Sequence, residues 1–239
     1  MAEIHNNLGV ILNKFNQKDA ALKSLERAVA IKPDYAEAHF NLGNTLRELG
    51  QLETAIKSYE KVIAIKPDYA DAYNNLGIAH MDLGQRDKAV KRYEKALSIN
   101  PNFAEAHNNL GNVLKTLGQF DAAIKNYEKV LAINPNYVDV YNNLGITYMD
   151  LGQQDKAVKC YEQALTINPD FADAHNTLGI AHINLGQLDM AVKCYEKALA
   201  INPDYVEAHN NLSIALTDLG KLDEALISCL LYTSDTADE

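Results

Sequence analysis

The chain has no tryptophan, and its 239 residues include only three cysteines, six prolines and twelve glycines. No apolar run approaches the roughly 18 residues of a membrane-spanning helix, which excludes insertion by such a helix. Residues Met1 to His5 lack the charged-then-apolar pattern of a secretion signal. The cysteines form no paired framework. Cys160 and Cys194 are 34 residues apart, at one position of successive repeats. Stacking then holds them beyond the roughly 4.4–6.8 Å Cα separation of a disulfide. A reducing, cytoplasmic setting is the expectation. Basic residues are outnumbered, 22 Lys and Arg against 32 Asp and Glu, for a net charge of −10. Non-specific nucleic-acid binding relies on Lys and Arg releasing counterions, and anionic membrane attracts the same residues. Neither is an expected partner.

What is present is punctuation with a clock. Pro33, Pro67, Pro101, Pro135, Pro169 and Pro203 stand 34 residues apart. The glycines fall into two columns with the same period, one from Gly9 to Gly179 and one from Gly50 to Gly220. Pro and Gly decide where helices stop and turn, so the secondary structure must repeat with that period. Such an array works by offering a surface.

One unit shows the expected elements. Asp34-Tyr35-Ala36-Glu37 fits a capping box. Ala38, Leu42, Leu46 and Leu49 then mark one helical face, and Gly50 ends that helix in the left-handed conformation. Leu52, Ala55, Ile56, Tyr59 and Ile63 form a second apolar stripe, and Pro67 stops it. Gly43 lies inside the first helix, where glycine costs about 1 kcal/mol against alanine. The invariant alanine column through Ala55 predicts close helix approach, Gly against Ala. Asn16 takes the turn position of the first unit, the next-best left-handed residue, and Ser213 takes the mid-helix glycine position of the last.

His39, Leu42, Gly43, Leu46, Ala55, Tyr59 and Pro67 resemble the tetratricopeptide repeat (TPR), with His or Tyr in place of its usual Trp. The resemblance covers units 2–35, 36–69, 70–103, 104–137, 138–171 and 172–205 and a partial unit 206–228, read as a single array. It implies an all-α, right-handed superhelix of helix hairpins whose first helices line a concave face. A longer period lies above the first. The units starting at Ala70 and Val138 agree at 25 of 34 positions, and neighbouring units starting at Ala70 and Ala104 at 20. A two-repeat block duplicated in this way accounts for the alternation. Residues 229–239 resemble a translated sequencing adapter. Without a visible polar cap, the chain reads as a fragment of a longer array.

Two asparagine columns are the sharpest candidate site. Asn7, Asn41, Asn75, Asn109, Asn143 and Asn211 form one, interrupted by Thr177; Asn6, Asn74, Asn108, Asn142, Asn176 and Asn210 form the other, interrupted by Phe40. Asparagine is a mediocre helix former, so its persistence needs a reason. The columns look like the amide ladder of O-linked N-acetylglucosamine transferase arrays, which holds the backbone of an extended peptide. An amide offers two donors and an acceptor, suited to a peptide unit. The predicted contacts are Asn41, Asn75, Asn109 and Asn143, with Asn74, Asn108 and Asn142 beside them. The alternative is duplication of one unit, its asparagines solvated or bonding between neighbouring repeats.

An acidic column, Glu3, Glu37, Asp71, Glu105, Asp139, Asp173 and Glu207, favours neutral or basic peptides. Lys14, Arg47 and Lys115 are too scattered for a clamp on acidic C-termini. His5, His39, His107, His175 and His209 share one column, spaced by about a helix-pair distance of 10 Å or more, and Zn–N bonds of about 2.0–2.1 Å cannot span it. No metal or cofactor is expected. Cys160 and Cys194 occupy a column that tolerates polar residues, which predicts accessible thiols. No enzyme signature is present, and groups spread along a 34-residue period do not converge as catalysis requires. The expected function is a non-enzymatic protein-interaction scaffold binding an extended peptide. The alternatives are a substrate-recognition arm of a larger, glycosyltransferase-like enzyme and a scaffold that self-assembles through uncapped ends.

Overall fold

A computed structural model describes residues 1–226; the adapter-like stretch 229–239 lies outside the described residues. The chain divides into two compact units, Met1–Leu117 and a second beginning at Gly118. Unit 1 contains α1 (Ala2–Lys14), α2 (Lys18–Ile31), α3 (Ala36–Glu48), α4 (Leu52–Ile65), α5 (Ala70–Asp82), α6 (Arg86–Ile99) and α7 (Ala104–Thr116). Unit 2 contains α8 (Phe120–Ile133), α9 (Val138–Asp150), α10 (Gln154–Ile167), α11 (Ala172–Asn184), α12 (Leu188–Ile201) and α13 (Val206–Asp218). Residues 222–226 are also helical. No strand occurs among the described residues.

Both units are all-α stacks of helix hairpins, the α-solenoid arrangement. In unit 1, α1 packs on α2, α3 on α4 and α5 on α6; each second helix also touches the next first helix, and α3 touches both α1 and α5. Unit 2 repeats this with α9 on α10, α11 on α12, and α11 against both α9 and α13. Each unit therefore has a layer of first helices and a layer of second helices.

The turn inside each hairpin follows the glycine reading. Gly50 has φ +73°, and its N–H donates to the Arg47 carbonyl at 2.9 Å while Gln51 N–H donates to Leu46 at 2.8 Å. These two bonds make a Schellman motif, which satisfies carbonyls that the helix end leaves open. Asn16 does the same work at φ 58°, with Gln17 N–H donating to Leu12 at 2.9 Å.

Three sequence expectations need correction. The first is the capping box. The N-cap of α3 is Tyr35, without a side-chain cap bond. Helix α3 starts too late for Asp34 to cap it, and Glu37 instead accepts a hydrogen bond from Lys66. The second is the reason for the mid-helix glycines. A Cβ on Gly43 would lie 2.6 Å from Cε1 of Tyr59, and one on Gly179 would lie 2.4 Å from Cε1 of Tyr195. At Gly43, Gly77, Gly145 and Gly179 the ring edge of a buried tyrosine, not the alanine column, occupies the space, and at Gly9 it is Leu25, with the Ala21 carbonyl 3.3 Å away. Those tyrosines (Tyr59, Tyr93, Tyr127, Tyr161, Tyr195) are the largest fully enclosed side chains. The third is the thiols. Cys194 is buried and Cys160 half-buried, and burial pushes both up to about 11. A polar-tolerant column did not make Cys194 accessible, because it packs with Leu178 and Ala181 of α11.

The histidine column has a defined task. His39, His107, His175 and His209 bring Nε2 to 2.8–3.0 Å from the carbonyls of Pro33, Pro101, Pro169 and Pro203. A carbonyl only accepts, so each Nε2 carries the proton and ties its first helix to the loop before it. Among the described residues, no group of three or more His, Cys, Asp or Glu could hold a metal ion, and no helix is long and apolar enough to cross a membrane.

Candidate functional site: the amide ladder

The two asparagine columns meet each other across repeats. In unit 1, Asn41 donates from Nδ2 to Asn6 Oδ1 at 2.9 Å, and Asn109 donates to Asn74 Oδ1 at 3.1 Å. In unit 2, Asn211 donates to Asn176 Oδ1 at 3.0 Å. Each bond joins residues 35 apart, so the first column reaches back to the second column of the preceding repeat. Thr177 fits the same rule: its Oγ1 lies 2.9 Å from Asn142 Oδ1 and 2.9 Å from the Asp173 carbonyl. Its single hydrogen serves one or the other.

The exception has a visible cause. Asn75 should reach back to position 40, but Phe40 has no acceptor there and packs instead on Tyr59 and Tyr69. Asn75 turns to Asn44, donating to Oδ1 at 2.9 Å. The same oxygen accepts the Tyr59 hydroxyl at 2.8 Å, which links the ladder to the tyrosine core. Burial drives the Tyr59 phenol up to about 12, so it remains a neutral donor.

The columns differ in exposure. Asn74 and Asn176 are each 1 % exposed. Asn74 spends both donors and one of its two lone pairs: Nδ2 donates to Glu105 Oε1 at 3.0 Å and to Asn75 Oδ1 at 3.3 Å, and Oδ1 accepts from Asn109. Asn108 and Asn142 are half-buried, as are Asn41, Asn75, Asn109 and Asn143. Oδ1 of Asn108 is enclosed without a hydrogen-bond partner. The inter-repeat bond uses one of three hydrogen-bonding groups on each donating amide. Asn41 and Asn109 are thereby fixed in orientation while keeping a second N–H.

The acidic column runs beside the ladder. In unit 1 two of its members are engaged by protein, Glu37 by Lys66 and Glu105 by Asn74. The bond from Lys66 and the Glu37 backbone amide hold the Glu37 carboxyl below its usual range. Arg47 lies 3.7 Å from Asp82. In unit 2 no lysine or arginine occurs on α9, α11 or α13, so the face around Asp139, Asp173 and Glu207 carries one sign. Tyr205 is raised to about 12 by burial and by its hydrogen bond to Asp173.

Sequence reasoning found both columns and weighed bonding between neighbouring repeats as the alternative to ligand contact; the structure shows those bonds at Asn41, Asn109 and Asn211.

Hairpins of 34 residues, stacked in two layers and laced by side-chain amides, define a helical repeat protein built for binding. The chain belongs to the tetratricopeptide repeat family. Models described as "TPR repeat" match residues 11–47, 43–84 and 79–118, and models described as "Tetratricopeptide repeat" match 102–170, 172–205 and 194–227. Among solved structures, MamA is 32% identical, covering 68% of this chain and 95% of its own, with a TM-score of 0.65. A thermophilic TPR protein of Thermus thermophilus is 27% identical, covering 77% of this chain and 100% of its own, with a TM-score of 0.59. YrrB, described as a TPR protein with an unusual peptide-binding site, shares the fold at 24% identity, 77% and 95% coverage and a TM-score of 0.66. A comparison with curated proteins returned no match.

Proposed function

We propose that this TPR chain is a non-enzymatic protein-interaction scaffold that takes an extended peptide along its first-helix faces. The observation that carries the reading is the lacing of the ladder. Asn41 and Asn109 are each anchored by a single bond and Asn75 by bonds to Asn44 and Asn74, and all keep groups that pair with a peptide unit. Asn41, Asn75 and Asn109 supply these groups in unit 1, and Asn143 in unit 2. Asn74 acts mainly by holding Asn75 and Asn109 in place, and the half-buried Asn108 and Asn142 are further contacts in this reading. Pre-set amides lose little freedom on binding, which favours affinity. The acidic column selects neutral or basic peptides.

The test starts from peptides selected by display against the full chain, with binding read by fluorescence polarisation. Asn41→Ala combined with Asn109→Ala should weaken binding at least roughly tenfold, the loss of about two hydrogen bonds, with helicity retained. N-methylation of alternate peptide amides should weaken binding to a similar degree. Unchanged affinity in both arms, with helicity intact, rules the ladder out as the contact surface.

A further inference from the structure

The second-helix side of unit 2 holds a cavity of about 910 Å³ that peptide binding by the first helices does not use. Leu165 of α10 and Met190 of α12 help wall it, and His175, Leu178, His182 and Cys194 also line it. These last four are buried. The volume falls within the roughly 300–1,000 Å³ typical of ligand pockets.

The preceding hairpin shows what the cavity lacks. One repeat earlier, Tyr141 stands at the position of His175, Tyr148 at that of His182 and Lys156 at that of Met190. There Lys156 Nζ lies 5.2 Å above the Tyr148 ring, so phenol and ammonium cover the site from within. The α11–α12 hairpin replaces two phenols with two smaller imidazoles and the ammonium with a thioether. The exchange leaves an apolar wall of Leu165, Leu178 and Met190 uncovered, in a cavity with room for an aromatic side chain and the backbone that carries it.

Its two buried imidazoles share one sense, while the exposed Glu162, Lys193, Glu196 and Lys197 bring charges of both signs to the lining. His175 Nε2–H donates to the Pro169 carbonyl at 2.9 Å, which leaves Nδ1 an acceptor, and that atom is buried without a partner. His182 Nδ1 lies 2.6 Å from Gln187 Oε1. The amide oxygen can only accept, so Nδ1 is protonated and Nε2 keeps the lone pair. Both imidazoles therefore call for a donor.

The geometry points to a tyrosine side chain of a partner protein as the occupant of this cavity, its ring against Leu165, Leu178 and Met190 and its hydroxyl donated to His175 Nδ1 or His182 Nε2. The incoming phenol would restore to this hairpin what Tyr141 and Tyr148 give its neighbour. This surface belongs to the second-helix layer, so its failure and that of the amide ladder are separately visible.

The probes are N-acetyl-tyrosinamide and N-acetyl-phenylalaninamide, added to full-length protein with labelled methionine methyl groups. The chain has four methionines, Met1, Met81, Met149 and Met190, and Met190 is the one that lines the cavity. The tyrosine probe should shift the Met190 methyl signal, leave Met81 in place, and bind roughly threefold or more tighter than the phenylalanine probe, as one added hydrogen bond implies. The double change His175→Tyr and His182→Tyr should abolish the shift while helicity is kept, because α9 already carries tyrosine at both positions. If that variant does not fold, the paired probes on the unaltered chain decide alone. The proposal is overturned by no Met190 shift, by equal affinity for both probes, or by a shift that survives in a folded double variant.

Discussion

The two compact units share one hairpin plan and differ in charge. Unit 1 holds 15 Lys and Arg against 14 Asp and Glu; from residue 118 onward the counts are 7 and 18. The difference reaches the first-helix face. In unit 1 the acids meet cations, as in Lys18–Glu48 at 3.3 Å and Arg47–Asp82 at 3.7 Å. Within unit 2 the ion pair found among the described residues is Lys221–Glu224, a neighbouring pair within one turn. Even the linkers diverge. Lys32 and Lys66 sit over Tyr35 and Tyr69 in unit 1. Asn134, Asn168 and Asn202 in unit 2 close Asx turns, accepting the N–H two residues on at 3.2–3.3 Å, a change that begins at Asn100, the third linker of unit 1, with the same bond at 3.2 Å. The same scaffold thus carries two different electrostatic surfaces, because packing fixes only the inward-facing columns.

The largest effect should be blind to this difference. Tyr93 of unit 1 and Tyr195 of unit 2 are equally enclosed against Gly77 and Gly179. Replacing either with alanine leaves a cavity beside a glycine that cannot fill it. Each should cost about 3–5 kcal/mol in denaturant unfolding followed by circular dichroism. A gap of more than about 2 kcal/mol between the two, large against the spread of such substitutions, would break the claim of a common core.

The second comparison concerns the ladder's buried struts. Asn74→Ala removes the partner of Asn109 and frees the Glu105 carboxylate; Asn176→Ala removes the partner of Asn211. Leaving such groups unpaired costs about 1–3 kcal/mol, and the multiply bonded Asn74 should lie at the upper end. Equal, near-zero effects in thermal unfolding would mean that the inter-repeat bonds are exchanged for water without loss.

Much of this was legible in the sequence, for physical reasons. A turn at Gly50 or Asn16 needs positive φ, which very few residues tolerate, so composition alone locates it. The period locates every helix in the same way. Contacts between repeats were less legible, because they depend on which rotamer a side chain adopts. The acid at Glu37 satisfied a capping pattern yet reaches Lys66, 29 residues on. The mid-helix glycines correctly signalled close packing, but the sequence alone did not say whether an alanine or a tyrosine ring came close. The asparagines signalled hydrogen bonding, and only three-dimensional register showed that Asn74 is spent on Glu105, Asn75 and Asn109.

The smallest predicted effect sharpens the charge contrast itself. Asp139, Asp173 and Glu207 neutralised together, to Asn, Asn and Gln, should weaken a lysine-bearing peptide more than its neutral analogue. Exposed ion pairs contribute about 0.2–1 kcal/mol each, so the loss is a few-fold per site and fades as salt shortens the Debye length toward about 3 Å at 1 M. The matched change of Glu37, Asp71 and Glu105 in unit 1 should do less, because Lys66 and Asn74 already engage two of those three carboxylates. Fluorescence polarisation with both peptides at low and high salt separates the cases. If the two triple variants respond alike, the acids of unit 1 are as available as those of unit 2, and the pairing seen on α3 and α5 does not shape what the surface offers a ligand.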